Sequence, residues 1–94
     1  MPSWKPQAVE DLQRNIKYYA KEDPLTAWRI YDEVLDRAEV LDEQPELGRP
    51  GRVEGTKELV LKHTPFILVY RVVAGQAEII NVLHGVQQWP PADE

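Results

Sequence analysis

Between Lys57 and His84 the chain holds three apolar runs separated by turn signals, and two of them carry Val, Ile or Leu at most positions. Nothing else in its 94 residues constrains the fold as strongly. A strand with one wet face alternates apolar and polar residues, whereas a strand covered on both faces reads as an unbroken apolar run. The first run, KELVLK from Lys57, alternates, with Leu59 and Leu61 on one face and Val60 between them. The second, FILVYRVV from Phe66, is apolar on both faces except at Arg71. Strict alternation along the third, AEIINVLH from Ala77, puts Ile79 and Leu83 on one face and Ile80, Val82 and His84 on the other. Ala74-Gly75-Gln76 predicts a tight hairpin turn, with Gly75 free to take positive φ. His63-Thr64-Pro65 makes the other connection.

The first half reads as helix. Val9, Leu12, Ile16 and Tyr19 recur at helical spacing, and Glu10, Asp11, Arg14, Asn15 and Lys17 fill the other face. Pro6 suits the first turn, and Pro24 ends the helix near Asp23, because the residue before a proline avoids the α conformation. Pro24 in turn opens a second helix whose apolar stripe is Trp28, Tyr31, Leu35, Ala38 and Leu41, placing Trp4, Trp28 and Tyr31 in the core. A linker this short makes the two helices an antiparallel hairpin over about 7–43. Residues 44–56, rich in Pro and Gly, form a loop, and the strands occupy about 57–84. Ser3–Lys5, between Pro2 and Pro6, is at most a short strand near a sheet edge. The reading is a single α+β domain over 1–94, a helical hairpin packed on a small, mostly antiparallel sheet, with a tail at 85–94.

Two helices cover only one face of such a sheet. The apolar residues on the other face need a cover too, because large apolar patches are rarely left in water. A partner chain, a second copy, or the tail with Val86 and Trp89 would each supply it.

Composition excludes several classes. Without cysteine there is no disulfide, thiolate metal site or thiol nucleophile. The N-terminus has no secretory h-region and no run is long enough to span a bilayer, which points to the cytoplasm and away from membranes. Net charge is −5, unevenly spread. Residues 1–47 carry six basic and eleven acidic side chains, and residues 48–90 five basic against three acidic. The acidic body disfavours avid binding to nucleic acid, while the C-terminal half offers a modest basic face.

Chemistry, where present, belongs to that half. His84, at a strand end beside Gly85, has the residue type for general acid–base work or for a plain backbone hydrogen bond. Arg71, a cation in an apolar strand, needs either an anionic ligand or a carboxylate partner, for which Glu58 and Glu78 are the candidates. Arg49 and Arg52 flank glycine in the loop, Lys57 opens the first strand, and Gln87, Gln88 and Trp89 end the tail; these are contact candidates for a partner. His63 reads as surface. Two histidines 21 residues apart make a poor metal set, and no phosphate loop, nucleophile elbow or cofactor motif appears.

Three segments together carry a resemblance. Arg52–Val60 (RVEGTKELV), Thr64–Val73 (TPFILVYRVV) and Glu78–Pro90 (EIINVLHGVQQWP), behind a helical hairpin, resemble the RelE/ParE superfamily, the toxin halves of type II toxin–antitoxin modules once called plasmid stabilisation proteins. The resemblance covers nearly the whole chain. It implies a growth inhibitor neutralised by a small antitoxin whose flexible segment wraps the toxin, and which itself contacts operator DNA. RelE-like members, which cut mRNA on the ribosome, have an Arg just before the Leu-Val-Tyr run, where this chain has Ile67. Tyr70-Arg71-Val72 and Val82-Leu83-His84 are similar to the strand motifs of ParE-like members, which poison DNA gyrase. The resemblance therefore implies a ParE-like gyrase inhibitor. The alternatives are a ribosome-dependent endoribonuclease, with His84, Arg71 and Glu58 as its catalytic set, and a non-toxic interaction domain.

Overall fold

The computed structural model describes residues 2–85. Strand β1 (Ser3–Trp4) leads into helices α1 (Pro6–Ala20) and α2 (Pro24–Glu43). Strands β2 (Arg49–Pro50), β3 (Lys57–Val60), β4 (Phe66–Val73) and β5 (Gln76–His84) follow. The described strands form one sheet in the order β1-β5-β4-β3-β2. Only β1 runs parallel to its neighbour, pairing Ser3 with Glu78 and Trp4 with Ile79. The expected mostly antiparallel sheet is thus present and wider than three strands. β2 adds an edge inside what reads as loop, because Arg49 and Pro50 pair with Glu58 and Lys57.

Both helices begin on a proline at the first turn, where a missing N–H costs nothing. α1 stops at Ala20, three residues before the position the sequence suggests. Pro24 forces Asp23 into extended backbone, and there Asp23 serves as the N-cap of α2. Its carboxylate accepts from the Thr26 amide (3.2 Å) and the Thr26 hydroxyl (2.6 Å), which holds its pKa below the usual value.

The helices pack on one face of the sheet. Leu12, Val34, Leu41, Leu59, Leu61, Phe66, Leu68, Tyr70, Ile79 and Val82 form the main core there. The stripe of α2 that faces it is Ala27, Ile30, Val34, Ala38 and Leu41. The expected stripe overlaps this only at Ala38 and Leu41. Trp28, one residue or about 100° round the helix from Ala27, is 62% exposed rather than core. Trp4 and Tyr31 are partly buried against the core.

β5 corrects the alternation read from its sequence. Tyr70 pairs with Ile79 and Val69 with Asn81, so Ile80 is an extra residue in β5. The bulge switches the faces after it. Ile79 and Val82 face the helices, while Ile80 and Leu83 join Ile67 and Val69 in a second cluster on the opposite face. Val86 and Trp89, the tail residues that could cover that cluster, lie outside the described residues.

The bulge is tied to α1 by a carboxylate. Asp11 is 4% exposed, not on the wet face of α1. Its Oδ2 accepts from the Val82 amide and from Asn81 Nδ2, both at 3.0 Å. Its Oδ1 accepts from Gln7 (2.9 Å) and Arg14 (3.1 Å). A buried carboxylate is tolerable only when its oxygens are satisfied this fully, and the pairing fixes α1 along β5.

Tyr70 does comparable work for the 45–48 segment. Buried in β4, its hydroxyl accepts from the Gly48 amide (2.8 Å) and donates to the Pro45 carbonyl (2.7 Å). Burial pushes its pKa up. A Cβ at Gly48 would stand 2.7 Å from the Tyr70 hydroxyl oxygen, so only glycine admits that approach. The β4–β5 turn is Ala74-Gly75, both at positive φ (52° and 78°), as a two-residue hairpin loop requires.

Candidate functional site

The residues singled out in the C-terminal half fall into three separate groups. In the first, Glu58 of β3 is 1% exposed on the face away from the helices. Its carboxylate accepts from the Arg52 backbone amide (2.9 Å), from Arg52 Nε (3.2 Å) and NH2 (3.1 Å), and from Arg49 NH2 (3.4 Å). Burial alone would raise its pKa, but the Arg52 guanidinium and amide, with Arg49 behind them, outweigh that and hold it low. Arg49, Arg52 and Glu58 therefore form one ion cluster, whose guanidinium side chains remain 58% and 40% exposed. Lys57 adjoins it in sequence and is half-buried, paired in register with Tyr70 and Pro50.

In the second group, Arg71 of β4 finds its carboxylate in Glu78 of β5, directly opposite in the ladder, at 2.6 Å. Lys5 approaches the other oxygen of Glu78 at 3.8 Å. The Arg71 hydrogen bond lowers the Glu78 pKa. Glu58, the other partner the sequence offered, is engaged elsewhere.

His84 makes the third group. It pairs with Phe66 at the far end of β4, and its ring meets the Phe66 ring edge-on at 6.2 Å. Its Nε2 lies 3.3 Å from the Tyr19 hydroxyl of α1, within hydrogen-bond reach. Phe66 and Arg71 are five residues apart on β4, so His84 and Arg71 stand roughly 17 Å apart at ~3.3 Å per residue. The structure thus does not bring His84 to Arg71 and Glu58, although Glu58, opposite Val69, is only two ladder positions from Arg71. Each has a different partner. Gln87, Gln88 and Trp89 lie outside the described residues.

A surface that the sequence reading missed lies on the helical hairpin. Ile16 and Ala20 of α1 with Pro24, Ala27, Trp28 and Tyr31 of α2 line an apolar hollow of about 340 Å3. Trp4, Val9, Leu12, Gln13, Tyr31 and Leu35 line a second of about 280 Å3. Tyr31 belongs to both, so the two adjoin at its ring and together make an apolar furrow along the helical hairpin. Trp28 stacks on Tyr31 (6.1 Å between centroids, 22° between planes), and this fixes two large rings on its wall. The signal was available: α2 carries two apolar stripes, and one sheet face needs only one.

Comparison with known proteins bears on what such surfaces are for. Residues 3–89 match the family described as the ParE toxin of the type II toxin–antitoxin system parDE. A protein of Sinorhizobium fredii, Y4kP, whose name assigns it by inference to the toxins, is 39% identical over 87 residues, which are 93% of this chain and 90% of that one. Among solved structures, the chromosomal ParDE toxin–antitoxin system of P. aeruginosa is similar with a TM-score of 0.80 at 25% identity, over 89% of this chain and 96% of its own. With a family match across nearly all of its length, a toxin-named relative and the same helix-hairpin-on-sheet fold, this chain belongs to the ParE toxins of type II toxin–antitoxin systems.

Proposed function

We propose that this ParE-family toxin arrests growth by inhibiting DNA gyrase, and that its antitoxin silences it by laying an apolar segment into the hairpin furrow. The family match over residues 3–89 carries the first half of the reading. Inhibition by docking requires no acid–base constellation, and this agrees with the separation of His84 from Arg71 along β4. The furrow supports the second half. An amphipathic segment buries apolar side chains in such a groove, and Trp28 and Tyr31 are the residue types that dominate binding energy at interfaces. The solved relative from P. aeruginosa is itself part of a toxin–antitoxin system. On this reading the toxin acts in the cytoplasm, where gyrase is, and reaches operator DNA only through its antitoxin. Arg49, Arg52 and Lys57 are then target contacts, the two arginines held in place by Glu58.

The test is a supercoiling reaction with purified gyrase, the toxin, and the toxin premixed with antitoxin. The toxin blocks supercoiling and the antitoxin restores it. Normal supercoiling at saturating toxin overturns the gyrase reading. Ribosome-dependent cuts in mRNA, abolished by His84→Ala, would put a nuclease in its place.

A further inference from the structure

We propose that the open edge of β3 at Val60, with the cationic groove beside it, accepts an extended acidic polypeptide segment as an added strand. The edge follows from the register. β2 pairs only with Lys57 and Glu58, so among the described residues no strand lies on the outer flank of β3 beyond Glu58. Val60 has Ile67 on its inner flank, and the Leu61 amide goes to the Phe66 carbonyl. Hydrogen-bonding direction alternates along an antiparallel strand, so the Val60 N–H and C=O point outward, away from β4. The Val60 side chain is 47% exposed.

The groove lies between that edge and α2. Two adjoining hollows of about 320 and 410 Å3 share Glu33 and His63 on their walls. Arg37, Leu59, Val60 and Lys62 complete the first, and Thr26, Arg29 and Ile30 the second. Three cations and a histidine thus surround one carboxylate, in a chain of net charge −5. Among the described residues no ion pair or hydrogen bond engages the head groups of Arg29, Arg37 or Lys62. An acidic ligand would be repelled by most of this molecule and drawn to this strip.

The edge decides which acidic ligand fits. The outward Val60 N–H and C=O are a donor and an acceptor that match another peptide backbone, the first rung of a strand addition. The aromatic platforms that hold nucleotide bases are missing from the lining residues of both hollows. A second copy pairing edge to edge would bring like charges at Lys57 and Lys62 together, a common protection of sheet edges. The same lysines admit a segment of alternating acidic and apolar residues, with carboxylates over Arg37 and Lys62 and apolar side chains beside Val60.

The groove and the furrow occupy opposite flanks of α2, one built on Arg29, Glu33 and Arg37 and the other on Trp28, Tyr31 and Leu35. The two share no lining residue, and the inference does not rest on the gyrase or antitoxin reading.

The experiment is fluorescence anisotropy of the purified protein with a fluorescein-labelled nine-residue peptide alternating glutamate and valine. Saturable binding is expected. Lys62→Glu at an exposed position and Arg37→Glu at a half-buried one, each with its fold checked by circular dichroism, weaken it roughly tenfold. A peptide N-methylated on alternate amides, with its charge unchanged, binds at least tenfold more weakly in one of its two phases. Trp28→Ala binds the unmodified peptide as the parent does. Absence of binding overturns the proposal, as does equal binding of both N-methylated phases or of a lysine–valine peptide. Loss of binding in Trp28→Ala would move the peptide to the furrow, and tighter binding of a nine-nucleotide single strand would make the groove a phosphate site; either result also overturns it.

Discussion

At the scale of single residues, the two nearly buried carboxylates are the least legible features of the sequence. Asp11 sits in a run of polar helix residues and Glu58 in an alternating strand, and nothing local marks either as interior. Both are buried because distant groups satisfy them: a bulge amide 71 positions away for Asp11, and a loop arginine for Glu58. Glu58 gives a prediction with a definite sign. Its folded pKa is depressed, so its contribution is fully present above the unfolded value of about 4.3 and is lost as pH falls through the lower, folded value. Glu58→Gln keeps the shape and removes the charge. Denaturation at pH 7 should show it less stable than the parent by about 1–3 kcal/mol. As pH falls below the unfolded value the gap should narrow, and it closes once the folded parent's own carboxyl protonates. An unchanged gap would mean that shape rather than charge holds the 49–58 segment.

At the scale of elements, the hairpin and the three long strands were readable because their periods are strong, and the errors came where a period had two solutions. Along α2, Trp28-Tyr31-Leu35 and Ala27-Ile30-Val34 are equally helical stripes. The small and branched set fits close against the sheet, while of the bulky set Tyr31 and Leu35 pack at the core's margin and Trp28 is left outward. Along β5, a single extra residue reversed the assignment of Val82 and Leu83, and no residue in that stretch announces a bulge. β2 is two residues long, too short to have a period at all. The outward stripe of α2 makes the second prediction. Trp28 is 62% exposed, so Trp28→Ala should change the stability of the isolated toxin by no more than about 0.5 kcal/mol. If the antitoxin occupies the furrow, the same change should weaken its binding by about 2 kcal/mol or more, roughly thirtyfold in Kd. Calorimetric titration of both toxins with antitoxin checks it, and equal affinities would place the antitoxin elsewhere.

At the scale of the whole molecule, the division of labour is between a sheet that carries charge in fixed ion clusters and a helical hairpin that exposes apolar surface. Trp28, Tyr18 and Leu25, all more than half exposed, lie on or beside that hairpin. A small domain with so much apolar side chain in water gains stability from whatever covers it, by mass action. At antitoxin a hundredfold above Kd the gain is about 2.7 kcal/mol. For a domain of this size each kcal/mol moves Tm by about 4–8 °C, so the complex should melt roughly 10–20 °C above the free toxin. A thermal scan at rising antitoxin concentration reads this directly. Trp28→Ala at the same concentrations, with about a thirtyfold weaker Kd, should keep less than a third of the shift. A shift that is large for the parent and just as large for Trp28→Ala would mean that the antitoxin covers another surface, and the furrow would then be left without an occupant.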